Sequence, residues 1–179
     1  MKKNCVILKW NPGISSYNFI DFLADIGNEE YASDWSIHEY GQVKAGDRFF
    51  MLKVGCGTCG IVASGEITGN PVPGGDWSGR GRKVYYADYL CDFMVNPATL
   101  PILESSTLED NIPGFDWHGG HSGVILDEER AEILERLFMK YLQEHSALFA
   151  DRFDLMEQRD LFNDQLYIEK ELFAGIKGA

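Results

Sequence analysis

Apolar positions fall in short runs cut by glycine and proline. The most organised stretch is 46–70, GDRFFMLKVGCGTCGIVASGEITGN. Phe49, Phe50, Met51, Leu52 and Val54 form one run; Ile61, Val62, Ala63 and Ile67 form a second. Aromatic and β-branched residues bounded by glycine are strand signals, so the pattern predicts a long hairpin. Gly55, Gly57 and Gly60 can take positive φ at little cost and put the reversal at 55–60. Gly46-Asp47 predicts the turn that opens the first strand, and Asn70-Pro71 the turn that leaves the second. Runs this apolar cannot face water on both sides, so the pair is expected at the centre of a sheet or barrel.

The remaining pattern is read around that hairpin. Residues 4–10, NCVILKW, predict a short strand ended by Asn11-Pro12-Gly13. Ser15 or Ser16 can cap a helix over 16–27, where Tyr17, Phe19, Ile20, Phe22, Leu23 and Ile26 recur at helical spacing and Gly27-Asn28 supplies a stop. Trp35, Ile37 and Tyr40 suggest a short extended segment. Residues 70–82 form a Gly/Pro-rich loop. Residues 83–95 predict a strand with a bulge near Ala87-Asp88. Residues 97–121 look irregular, and 122–126 read as a last short strand. Asp127 caps a helix over 128–144, with Glu128 and Glu129 in the first turn, where the helix dipole favours them. A second helical pattern runs through 146–174. The expected organisation is a domain over 1–144 and a helical extension over 145–179 that packs on the domain or on a second copy.

Composition changes this picture in one respect. The net charge is −12. Proteins that hold nucleic acid by its backbone draw most of their affinity from basic side chains, so any such role must rest on a local patch or a pocket for one nucleotide. The only dense basic cluster is Arg80, Arg82 and Lys83, in and just after the Gly/Pro-rich loop. The apolar stretch at Cys5 to Leu8 is too short for a signal peptide, and no run reaches the roughly 20 residues of a membrane helix. A cytoplasmic location with four free thiols, and no membrane partner, is therefore expected.

Several of these pieces, taken together, resemble a known family. Trp10-Asn11-Pro12, a helix, Trp35, Gly46-Asp47-Arg48 opening a strand, and Gly60-Ile61-Val62-Ala63-Ser64-Gly65 follow an order similar to the EVE-like branch of the PUA-like domains. Asp76-Trp77, Leu100-Pro101, Phe115-Asp116-Trp117 and Ser122-Gly123-Val124-Ile125 agree with it, so the resemblance spans roughly 4–144. It implies an α+β fold: a PUA-like, mostly antiparallel β-barrel with flanking helices, here with a helical C-terminal tail. It also implies a binding module without catalysis or cofactor, holding a base, often a modified one, between aromatic walls. Some relatives of that kind are fused to restriction nucleases and read modified DNA, and others are tied to RNA.

The candidate site follows. A flipped base needs flat walls and a few polar groups for its edge. Trp77 and Trp117 sit in glycine-rich, polar neighbourhoods and read as pocket walls, while Trp10 and Trp35 can be pocket or core. Asn11, Asp76, His118 and Ser122 can supply edge contacts, although each is also a common turn or cap residue. Arg80, Arg82 and Lys83 can clamp flanking phosphates or simply lie in a solvated loop. Arg48 is expected to pair with a nearby carboxylate. Cys56-x-x-Cys59 reads as a hairpin tip, because structural zinc wants four ligands and a redox pair wants a helix start. His118 and His121 read as a pocket rim and not as metal ligands. Two rivals remain: a small hydrolase or transferase acting on a nucleotide-like molecule with His118, His121 and Asp116 as acid–base groups, and an interaction protein that dimerises through its tail.

Overall fold

The computed structural model describes residues 2–26 and 31–147. The elements run β1 (Cys5–Trp10), α1 (Phe19–Asp25), β2 (Ala32–Ser36), β3 (Arg48–Lys53), β4 (Gly60–Ile67), β5 (Val72–Gly74), β6 (Val84–Met94), β7 (Leu103–Glu104), α2 (Ser105–Asn111), β8 (Val124–Leu126) and α3 (Glu128–Glu144). The fold is α+β, with one mixed, mostly antiparallel sheet of order β2-β6-β4-β3-β1-β8. β5 extends along β6, and β7 along β4. Among the described residues the single parallel pair is β1 with β3, in register from Cys5 opposite Arg48 to Trp10 opposite Lys53.

The predicted hairpin is the centre of the sheet. β3 and β4 are buried along almost their whole length, which suits runs with few polar positions. At the tip Gly55, Gly57 and Gly60 all have positive φ. The buried Lys53 folds back, and its Nζ donates to the carbonyls of Cys56 (2.6 Å) and Thr58 (3.1 Å). The Cys59 thiol lies against the Gly55 and Gly57 carbonyls, so both tip cysteines belong to a turn. Asp47 holds the other end: its buried carboxylate accepts from the Asn4 and Lys44 backbone N–H groups, both at 2.9 Å.

Successive strand residues point to opposite faces, and Phe49 and Phe50 show where the two halves of the core lie. Phe50 meets Phe138 of α3 at 5.3 Å between ring centres, and Phe93 meets the same ring at 5.2 Å. Phe49 faces Tyr89 at 5.1 Å on the other side, where Tyr31, Tyr17, Trp10 and Phe22 continue the cluster. Arg48 donates to Glu135 (2.9 Å) and Asp92 (3.3 Å) and so pairs with carboxylates as expected.

Four expectations are corrected. The bulge in β6 is not at Ala87-Asp88, which pair regularly with Trp35 and Asp34; it is at Asp92, left over where Ser64 faces Phe93 and Gly65 faces Cys91. That extra residue aims Asp92 at Ser64 and Arg48. The α1 cap is Asn18, whose side chain accepts from Asp21 N, because Ser15 is spent on the Tyr17 N–H. The stretch 97–121, expected to be irregular, contains β7 and α2.

The barrel is the fourth correction: the sheet is not closed. Among the described residues β2 pairs only with β6, and β8 only with β1, along Cys5, Val6 and Ile7. β8 is too short to reach the rest of β1, and β2 is polar and largely exposed. Ser122 and Gly123 bridge the gap instead. His38 N donates to Ser122 O and Glu39 N to Gly123 O, both at 2.9 Å, while Gly123 N donates to Ile7 O. Gly123 has φ 76°, and a Cβ there would stand 2.4 Å from Ile37 Cα, so this close approach requires glycine.

The tail expected over 145–179, and the dimer expected through it, fall outside the described residues apart from 145–147. Among the described residues no helix is long and apolar enough to cross a membrane.

Candidate functional site

Where the two ends of the sheet fail to pair, a cleft of about 740 Å³ opens. The end of β1 with Asn11 forms one side, residues 33–38 another, and Tyr85 and Tyr86 of β6 a third, with the 118–122 loop behind. The open seam and the candidate site are the same place.

Of the expected base-binding residues, Asn11, Trp35, Trp77, His118 and Ser122 reach this cleft. Trp35 is half-buried; its indole N–H donates to Ser122 Oγ at 2.9 Å, and its ring meets Tyr17 edge-on at 5.9 Å. Trp77 is 40% exposed at the mouth. Trp10 only backs the wall: its ring is 0% exposed, packed against Phe22 at 4.7 Å, with its N–H given to Tyr17 O. Trp117 corrects the expectation outright. It is 1% exposed, donates to Ile112 O at 2.9 Å and packs on Phe115, away from the cleft. Its glycine-rich flanks suggested a rim, but they let the chain turn the indole inward.

Of the other rings of the cleft, His121 was expected at its rim, while Tyr40, Tyr85 and His38 were not foreseen as site residues. Tyr40 and Tyr85 stack with centres 3.7 Å apart and planes 8° apart, and His38 and His121 stack at 3.9 Å and 1°. Tyr40 lies in a turn and Tyr85 on a strand, and no local pattern announces that they meet. Tyr17 and Tyr31 lie deeper. Burial pushes both phenols above their ordinary range, further so for Tyr17, whose hydroxyl donates to Asp25 at 2.7 Å. They stay neutral hydrogen-bonding groups and offer no phenolate.

The basic cluster divides. Arg82 lines the cleft, but its guanidinium is bonded to Asp76 (3.1 Å from Nε) and lies 5.9 Å from the Trp77 ring centre. Asp76 is therefore the organiser of this loop and not an edge contact: it also accepts from Ser78 N, Ser78 Oγ and Arg82 N. Arg82, above all, holds its carboxyl well below the usual carboxylate range. Lys83 stands 5.4 Å over the Tyr85 ring, lines the cleft and pairs with no carboxylate among the described residues. Arg80 stays outside the cleft, its Nε on Ser78 Oγ.

The groups proposed for acid–base work face different ways. The His118 ring bonds Glu109 at 3.1 Å in an exposed pair, and His121 is stacked on His38. Asp116 accepts from the N–H groups of His118 and Gly119, which lowers its pKa and makes it a loop anchor. Lys9 Nζ donates to Gly119 O and lies over the Phe115 ring; its pKa is lowered by burial, against the pull of Asp116. Among the described residues no three or more His, Cys, Asp or Glu side chains gather as a metal could require.

No family model, no curated protein and no solved structure matches the chain.

Proposed function

We propose that the cleft holds a planar heteroaromatic ring, a nucleic-acid base or nucleotide, plain or modified, by stacking and edge contacts and without chemistry. We also propose that the sheet is an opened form of the PUA-like arrangement the sequence resembles. One observation carries the reading: Trp35, Trp77 and the Tyr40–Tyr85 stack, drawn from separate stretches of chain, line a single opening with Lys83 at its rim. Stacking on such walls contributes about 1–3 kcal/mol per base. The rival hydrolase or transferase has less support, because Asp116 and His118 are each engaged by other groups.

The charge limits the ligand. With −12 overall and, among the described residues of the cleft, Lys83 as the one cation held by neither a carboxylate nor a backbone carbonyl, the protein suits a nucleotide or a short single strand better than a long phosphate track. The slope of log K against log salt should lie near about −1 or shallower, where a protein neutralising several phosphates would show a multiple of that. The test is a titration of mononucleotides and short oligonucleotides, plain and modified, followed by tryptophan fluorescence. Quenching that disappears in Trp77→Ala supports the reading. Absence of quenching or of calorimetric heat with every member of the set overturns it.

A further inference from the structure

We infer that Ser122 selects which ring the cleft accepts, by offering a hydrogen-bond donor that can do nothing else, and that it favours bases with an oxo group at C4 of a pyrimidine or C6 of a purine, as in uracil, thymine and guanine, over those with an amino group at that position, as in cytosine and adenine. This rests on the cleft being a base site.

The argument is a count of lone pairs. A serine hydroxyl has two acceptor positions and one proton to give. Ser122 Oγ accepts from Lys9 N at 2.8 Å and from Trp35 Nε1 at 2.9 Å. A backbone N–H and an indole N–H can only donate, so both acceptor positions are filled. The hydroxyl proton must then point elsewhere. No acceptor among the described residues takes it, and Ser122 lines the cleft. The residue cannot swing away, because its carbonyl receives His38 N and its neighbour Gly123 is fixed between Ile7 and Glu39. Because Oγ lies 2.9 Å from the indole nitrogen, a ring stacked on Trp35 brings its rim within reach of that proton. A carbonyl oxygen there accepts it. An exocyclic amino group sets donor against donor and leaves both unpaired, which is the costly case.

The test uses the full chain and four probes, UMP, GMP, CMP and AMP, titrated by fluorescence. The wild type is expected to bind the first two about tenfold tighter than the last two. Ser122→Thr keeps the hydroxyl and should keep the ratio. Ser122→Ala should bring it near unity. Should Ser122→Ala not fold, Trp35→Phe serves: it keeps a flat wall but removes one donor, freeing an acceptor position on Oγ, and the ratio should again fall. A wild-type ratio near unity or reversed, or a ratio unchanged in Ser122→Ala or Trp35→Phe, overturns this inference and leaves the base site standing. Binding of none of the four, nor of any other nucleotide or modified base, overturns the base site and this inference with it.

Discussion

The two sides of the sheet use the same residue types to opposite effect. Around β3, β4 and α3, Phe50, Phe93 and Phe138 meet edge to face inside a continuous ladder, and every ring is covered on all sides. Around β1 and β2 the ladder breaks, and Tyr40, Tyr85, His38 and His121 stack in pairs beside open space. Aromatic content therefore does not decide which region is core. What decides it is whether neighbouring backbones pair, since pairing brings a second layer down on the rings and a gap leaves them facing water.

The tryptophans offer the sharpest way to break that contrast. Trp10→Ala and Trp117→Ala should each cost about 3–5 kcal/mol in denaturant unfolding, as large core truncations do. Trp77→Ala should stay within about 0.5 kcal/mol while abolishing fluorescence quenching by ligand. If Trp77 proved as costly as Trp117, the distinction between the sides would be lost. Gly123→Ala should cost about 1–3 kcal/mol from its positive φ alone, and more from the clash of the new Cβ with the Ile37 backbone, 2.4 Å away at the seam. Its signature is faster amide exchange at His38 and Glu39 with the β3–β4 amides unchanged; uniform acceleration would mean that the seam is no separate unit.

The next effect is one of pH. The Asp76 carboxyl is held below its ordinary value of about 3.9 by Arg82. A depressed acid contributes order that is complete above the ordinary value and is lost as pH falls through the lowered one. The near-UV circular dichroism of the Trp77 loop should then be flat from pH 8 to 5 and change only below about pH 4. In Asp76→Asn this acid step should disappear; a step centred at pH 5 or above in the wild type would contradict the clamp. The smallest effect is expected at the hairpin tip. Replacing Cys56 and Cys59 together by serine should move stability by less than about 0.5 kcal/mol, because the tip is held by Lys53 and by glycine backbone.

Legibility in the sequence follows the range of the interactions. α3 could be read directly: Asp127 caps it by accepting from Arg130 N, and its Leu134, Phe138, Tyr141 and Leu142 stripe is a local pattern. The central hairpin was equally plain, because both strands and the reversal lie in one stretch. Trp77 and Arg82 could be placed beside the cleft because the Gly/Pro loop carries both, with Lys83 directly after it. α2 could not be foreseen, because Ser105–Asn111 contains poor helix formers and owes its helix to the burial of Leu108 and the following Ile112. The open seam was beyond reach for a related reason. Whether a sheet closes depends on how far β8 extends along β1, and one or two residues of pairing at a strand end leave no trace in composition or periodicity.

Protein synthesis gives the Ser122–Gly123 bridge a further meaning. A ribosome delivers Trp10, Trp35, Trp77 and Tyr85 well before residue 122, and β1 must wait for β3 even to acquire its first partner. Until the bridge emerges, the bonds of His38, Glu39 and Trp35 to Ser122 and Gly123 are missing, and the β1 end meets β2 through the Tyr17 contacts with Trp10 and Trp35. A chain ending before residue 118 thus carries its whole central hairpin while the cleft still lacks the 118–122 loop. The cleft takes its final form with the arrival of two small residues, Ser122 and Gly123.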